Sequence, residues 1–307
     1  MMRWRGVDAT PSGWGRSVVT IGMYDGVHRG HQQIIRAAVD EAHALGLAAV
    51  VVSFDPHPSE VVRPGTHPPI LTAPARKAEL IESLGADALC VLPFTLELSR
   101  VPADEFVHQV LVQRLHVAAV VVGANFRFGN KASGDVAMLS TLGRRFGFTA
   151  TGVELLAEDG VELSSTYVRA CVAAGDMPRA ERGLGRPHRI DGVVVRGDQR
   201  GRQLGYPTAN VESAAHTAIP ADGVYAGRLV RAGTPHTAAI SVGSNPTFSG
   251  EQRRVEAFVL DFDGDLYGEH VSVEFVERLR PMVKFDSVDA LLVEMANDVE
   301  RTRARLS

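Results

Sequence analysis

The chain of 307 residues is long enough for two domains and a full hydrophobic core. Hydrophobic residues make up 45% and charged residues 22%, and the formal net charge is −4, which argues against nucleic-acid binding and its usual basic excess. Cys90 and Cys171 alone exclude a disulfide framework or closed zinc site, and no stretch approaches the ~20 apolar residues of a membrane span, so the chain is expected in a reducing cytoplasm without a membrane partner.

Ser17–Ile21 is a short β-branched run that predicts a buried strand. Ile34, Ile35, Ala38 and Ala42 recur at helical spacing, predicting a helix from near His31 to Gly46. Between them lies Gly22-Met23-Tyr24-Asp25-Gly26-Val27-His28-Arg29-Gly30-His31, a strand-to-helix turn where unpaired N–H groups and the helix dipole favour an anion. His28 and His31 are three apart and project to one side of a first helical turn. Gly22, Gly26 and Gly30 permit a tight turn and close approach of a ligand. Such a turn suits a phosphate. A capped helix start and half of a metal site are the alternatives, although no nearby residues complete a usual zinc set.

To about Val153 the pattern alternates. Strands are predicted at Val18–Ile21, Ala48–Phe54, Ala88–Phe94, Ala118–Val122 and Thr149–Leu155, with helices at Gln32–Leu45, Pro74–Leu84, Ala103–Leu115 and Asp135–Phe146. Near-continuous apolar strands separated by helices indicate a Rossmann-like parallel sheet covered on both faces, with ligands beyond the carboxyl ends of its strands. Three polar loops fall at those ends. Besides Gly22–His31 they are Asp55-Pro56-His57-Pro58, where His57 fits a structural or a substrate-contacting role, and Gly123–Gly129. In the last, Asn125 offers an amide, Arg127 a phosphate fork, and Phe126 and Phe128 flat apolar surfaces; an ordinary strand-end loop is the plain alternative.

Ser164, Ser165 and Thr166 precede a predicted helix that carries Arg169; N-capping accounts for Ser165 or Thr166, phosphate binding would use the same N–H groups with the hydroxyls and the arginine, and both can hold together. After that helix, Arg182–Pro187 reads as a connector, placing the domains at 1–182 and 183–307. Short β-branched segments follow at Arg189–Arg196, Val224–Val230, His236–Val242, Arg254–Phe262 and His270–Val276, indicating a small antiparallel barrel. Asp286–Arg305, with Val288, Leu291, Leu292, Met295 and Val299 on one face, predicts a terminal amphipathic helix. Gly197, Gly201 and Gly205 give a loop able to wrap phosphates. If Pro207–Val211 is extended, Thr208 and Asn210 share a face and offer hard oxygen ligands suited to Mg2+. Glu256, flanked by Phe258 and Leu260, is a base candidate whose desolvation would favour proton uptake; a solvent-facing glutamate is the alternative.

Together these segments resemble the bifunctional bacterial riboflavin kinase/FMN adenylyltransferase family over nearly the whole chain. His28-x-Gly30-His31, Phe54–Pro58, Asn125–Gly129 and Ser164–Arg169 match the adenylyltransferase half. Gly201–Asn210, Gly223-Val224-Tyr225, Ser244-Asn245-Pro246-Thr247-Phe248 and Val255-Glu256 match the kinase half. Pro207-Thr208-Ala209-Asn210 after a glycine-rich loop is the most specific of these. Met23-Tyr24, where the family often has Phe before the Asp, and Tyr206 before Pro207 depart only slightly. The resemblance implies ATP as co-substrate for two reactions, from riboflavin to FMN and from FMN to FAD plus pyrophosphate. It implies that His28 and His31 stabilise phosphate charge, Glu256 acts as base, and Thr208 and Asn210 hold Mg2+. Gly22, Asp25, Gly30, Asp55, His57, Asn125, Arg127, Phe128, Ser164, Ser165, Thr166 and Arg169 would bind nucleotide or flavin in the first half, and Gly197, Gly201, Arg202, Gly205, Asn245 and Thr247 in the second. A different nucleotidyltransferase with an unrelated barrel, and a non-catalytic flavin-binding protein, are the rival classes.

Overall fold

The structure, a computed structural model, describes residues 1–197, 201, 204–247 and 250–306, and the side chains at 244–247 and 250–252 fall outside the description. Two compact units result. One comprises Met1–Pro68 and Pro74–Leu163, the other Pro69–Ala73 and Ser164–Ser307.

In the first unit, β1 (Met2–Arg5), β2 (Ser17–Ile21), β3 (Ala48–Asp55), β4 (Ala88–Pro93), β5 (Val117–Gly123) and β6 (Thr149–Val153) form one parallel sheet in the order β1-β4-β3-β2-β5-β6. The helices between them are α1 (Arg29–Leu45), α2 (Pro58–Val62), α3 (Pro74–Ser83), α4 (Leu96–Arg100), α5 (Ala103–Phe106) and α6 (Val136–Phe146). β2 is buried along its whole length. Its period of two sends Val18 into one core cluster, with Ile35, Val51 and Val121, and Val19 into another, with Val52, Val120 and Leu139. The predicted helix Ala103–Leu115 is α5 followed by a π-helical run, Val107–Val112. β1 is a short edge strand with alternating arginines, a pattern without the apolar continuity of its neighbours. A small hairpin, β7 (Ala157–Glu158) and β8 (Val161–Glu162), ends the unit.

The second unit opens with α7 (Ser165–Ala174) and α8 (Met177–Leu184). Arg182–Leu184, expected in a connector, belongs to α8, whose stop is Gly185 in the left-handed region at φ 74°. The compact division falls at Leu163/Ser164, ahead of the expected 182/183, because Val168, Val172, Met177 and Leu184 are buried with barrel residues such as Ile190 and Phe275. The barrel itself closes in the order β10-β13-β12-β11-β14-β9, from β9 (His188–Val195), β10 (Ala209–Ser213), β11 (Gly223–Arg231), β12 (Thr234–Thr247), β13 (Gly250–Val259) and β14 (His270–Arg280). Its interior is filled by alternate residues, among them Ala209, Val211, Val255 and Ala257.

The last helix, α9 (Val288–Leu306), departs from the predicted apolar face. Val288 is exposed, and the buried positions are Asp298 and Thr302. Asp298 takes a bidentate contact from Arg280 of β14, at 3.1 and 2.8 Å, which lets a carboxylate occupy the inward position.

Pro69–Ala73 is stitched into this unit. The Ile70 N–H donates to the His216 carbonyl, the Ala218 N–H to the Ile70 carbonyl, and Leu71 is 3% exposed within the barrel's cluster. Leu71→Ala should therefore destabilise the second unit by about 2–5 kcal/mol, seen as faster amide exchange in β11 and β12. Unfolding followed by fluorescence of Trp4 and Trp14, the only tryptophans and both in the first unit, should stay unchanged. An equal shift in the fluorescence transition would contradict the assignment of this segment.

Candidate functional site

The sheet order places a topological switch between β2 and β5, since the chain proceeds outward from β2 through β3 and β4 on one side and from β5 to β6 on the other. The three candidate loops follow the adjacent strands β3, β2 and β5, at one rim.

After β2 the backbone turns sharply, with positive φ at Tyr24 (51°), Gly26 (85°) and Val27 (39°). Gly22 is required because a Cβ there would stand 2.9 Å from the Tyr24 ring. Tyr24 is buried and bonded to Thr20 at 2.6 Å, and burial pushes its phenol well above the ordinary range. His28 forms the N-cap of the helix, the capped start that the sequence left open as an alternative. The helix begins at Arg29, and the His31 N–H donates to His28 Nδ1 at 3.3 Å. The two rings stack with centroids 3.6 Å apart, and Tyr24 meets His31 edge-on at 5.1 Å. His28 and Asp25 are 6% and 8% exposed. Gly30 lets the helix start pass the Leu163 carbonyl, which a Cβ would meet at 3.1 Å. The structure thus brings His28 and His31 into one stacked pair over a helix N-terminus.

Beneath the turn, Lys77 of α3 donates to the Met23 carbonyl and to Ser53 Oγ, both at 3.2 Å. Burial pushes its ammonium below the ordinary lysine range, and the Asp25 and Asp55 carboxylates oppose that push. Sequence reading missed this residue as a functional candidate. The one signal was a lysine inside an otherwise arginine-dominated basic set.

The neighbouring loops are less committed to a ligand. Asp55 is exposed and pairs with Arg5 at 3.2 Å. His57 caps α2, its Nδ1 accepting from the Ser59 N–H at 3.2 Å. Asn125 is exposed beside β5, while Arg127 pairs with the α6 cap residue Asp135 at 3.2 Å. Phe128 is buried in the core against Phe106 and Phe126, so its faces are used in packing rather than offered to a ligand. Ser164, in the second unit, caps α7 by accepting from the Tyr167 N–H at 3.2 Å. Ser165 and Thr166, expected as the cap, instead lie in the first turn because the helix begins at Ser165, and Arg169 Nε donates to the Pro69 carbonyl at 2.7 Å.

The second unit assembles its candidates on the outer wall of the barrel. Ala209 and Val211 point inward, so Thr208 and Asn210 share the outer face, as expected. Asn210 pairs in register with Glu256 of β13, and Thr208 Oγ1 donates to Glu256 Oε2 at 3.0 Å. Glu256 is half-buried and bonded, not set in a dry apolar face, because the inward positions of β13 are Val255, Ala257 and Val259. A Cβ at Gly197 would lie 2.5 Å from the Asn210 amide, so that glycine makes room for it. Gly205 has φ 83°, and a Cβ at Gly201 would strike the Tyr206 carbonyl at 2.4 Å. Arg202 and the side chains of Asn245 and Thr247 lie outside the described residues.

Among the cavities that border this cluster are two that meet at Thr208. One, about 300 Å3, lies between the outer barrel wall and α9, lined by Thr208, Glu256, Phe258, Phe285, Met295 and Val299 among others. Its opening explains why Leu291, Met295 and Val299 of α9 are only half-buried. The other, about 90 Å3, is lined by Val194, Pro207, Phe262, Leu266 and Tyr267 together with Thr208 and Asn210. Thr208 belongs to both. Among the described residues no cluster of three or more His, Cys, Asp or Glu is placed to hold a metal, and no helix is long and apolar enough to cross a membrane.

The FAD synthetase family model matches residues 10–167 and the riboflavin kinase model residues 184–306. The bifunctional riboflavin kinase/FMN adenylyltransferase of Pseudomonas fluorescens is 40% identical over 288 residues, covering 94% of this chain and 92% of that protein. The protein of the same description from Escherichia coli K12 is 35% identical over 282 residues, with 92% and 90% covered. A solved structure described as a macrolide-efflux protein from Streptococcus pneumoniae superposes with a TM-score of 0.91 at 32% identity, covering 99% of both chains. The kinase match excludes the reading of an unrelated barrel.

The cap geometry gives a prediction free of any ligand. His28→Ala should cost the first unit about 1 kcal/mol of stability, and His28→Asn should recover it, both read from tryptophan-monitored urea unfolding. Equal stability of His28→Ala and the parent would remove the capping role.

Proposed function

The chain belongs to the bifunctional riboflavin kinase/FMN adenylyltransferase family, and we propose how its residues divide the two activities. It is an ATP-dependent transferase that phosphorylates riboflavin to FMN and adenylylates FMN to FAD. Residues 183–307 carry the first reaction and residues 1–182 the second. The two free, buried cysteines accord with a reducing cytoplasmic setting.

One observation carries the kinase assignment: Thr208 lines both cavities and is hydrogen-bonded to Glu256. The larger, mostly apolar slot with Phe258 and Phe285 suits a flat isoalloxazine ring. The smaller cleft takes the nucleotide, so the γ-phosphoryl passes over Thr208 to a ribityl hydroxyl beside Glu256. Glu256 accepts the hydroxyl proton as that oxygen attacks the γ-phosphorus and ADP departs. Thr208 and Asn210 present neutral hard oxygens on one face, in space kept open by Gly197, which fits Mg2+ shared with substrate phosphates. When bound there, the ion would neutralise phosphate charge in the transfer.

In the first unit, an FMN phosphate oxygen attacks the α-phosphorus of ATP and pyrophosphate leaves. His28 and His31, over the N-terminus of α1, stabilise the charge that develops on the phosphates. Since Nδ1 of His28 serves the cap, its contact with substrate is made through Nε2.

Asn210→Ala should abolish FMN formation and leave FMN-to-FAD conversion intact, whereas His31→Ala should slow FAD formation about 10²-fold or more and spare the kinase. Product analysis by chromatography reads both, and equal loss of the two activities in either variant contradicts the division. Glu256→Gln should depress kinase turnover at neutral pH; unchanged turnover removes the base role.

A further inference from the structure

Lys77 has no part in the chemistry above, yet its ammonium is turned inward. Its Nζ donates to the Met23 carbonyl and to Ser53 Oγ, and Ser53 Oγ donates to the same carbonyl, all three at 3.2 Å. Ser53 is fully buried. The triangle joins three elements: the turn after β2, the inner strand β3 and the helix α3. Drawing an ammonium inward carries a desolvation cost, which an apolar residue at this position would not incur. What the charge supplies is a strong donor at one carbonyl, placed just before the positive-φ residues Tyr24, Gly26 and Val27 of the same turn. The Asp25 and Asp55 carboxylates lie close enough to stabilise it.

The Met23 carbonyl is therefore held from below while the His28 cap holds the far end of the same turn. A turn with positive φ at Tyr24 and Val27 has little conformational preference of its own for this geometry. Anchoring at both ends fixes where the stacked histidines stand relative to the sheet.

We propose that Lys77 is a positioning residue for adenylyl transfer, fixing the Gly22–His28 turn through Met23 and Ser53 so that His28 and His31 meet the reacting phosphates. The proposal rests on the assignment of those histidines to that step. Lys77 touches no substrate in this account. Its removal displaces the groups that do, which lowers turnover more than it weakens ATP binding.

The test uses full-length Lys77→Met, Ser53→Ala and the double variant, assayed where circular dichroism shows the chain folded. Lys77→Met should lower kcat for FAD formation about 10- to 10²-fold, the scale of a small misplacement, with KM for ATP changed less than about threefold and kinase kcat intact. Ser53→Ala should cause a smaller loss, and the double variant should be no worse than Lys77→Met, because both remove one network. Wild-type kcat in Lys77→Met, a loss in KM alone, or multiplied losses in the double variant overturn the proposal. Should Lys77→Met fail to fold, unchanged kcat in Ser53→Ala overturns it. His31→Ala, assayed in parallel, separates the two levels: full FAD formation by that variant defeats the assignment of the turn itself.

Discussion

A parallel sheet sends every strand into its next helix from the same rim, and that constraint organises the first unit. The turns after β3, β2 and β5 are forced to one edge, and the reversal of direction between β2 and β5 opens a crevice there. What makes the crevice specific is the His28 ring. It satisfies one N–H at the start of α1 and stacks on His31, so the residue that ends the turn also begins the site proposed to stabilise phosphate charge. One ring thus serves local structure through Nδ1 and leaves Nε2 for the proposed chemistry.

The barrel faces the opposite constraint. Its interior is small and is filled largely by its own aliphatic and aromatic side chains. Polar chemistry is displaced to the outer wall, where the alternate residues of β10 and β13 bring Asn210 and Glu256 into register. A cover is then required, and α9 supplies it. The Arg280–Asp298 pair secures the helix, which leaves its Leu291, Met295 and Val299 to line a slot instead of a closed core.

The alternation of apolar strands and amphipathic helices was legible because buried parallel strands have few ways to vary. β1 was not, since an edge strand of four residues with two arginines carries no burial signal. Val288 was misread for a related reason: helical periodicity identifies a stripe but not which of its positions the rest of the unit covers. Among site residues, Thr208 and Asn210 followed from period two once the segment was taken as extended. The capping roles of His28, His57 and Ser164 were less visible, because a polar residue before a helix reads the same whether it serves the backbone or a ligand. Phe128 shows the converse. Aromatic residues in a loop look available until Phe106 and Phe126 are found against them. Lys77 escaped notice because its partners are a backbone carbonyl and a serine, neither of which sequence spacing can associate with it.

The account depends on two separate seats for ATP phosphates in one chain. A crystal of the full-length protein grown with Mg2+, FMN and a non-hydrolysable ATP analogue tests this most directly. It predicts two nucleotides per chain, one with its phosphates against the His28–His31 pair and one with its phosphates over Thr208 and Asn210. A single shared nucleotide, or phosphates bound away from both groups, would contradict it.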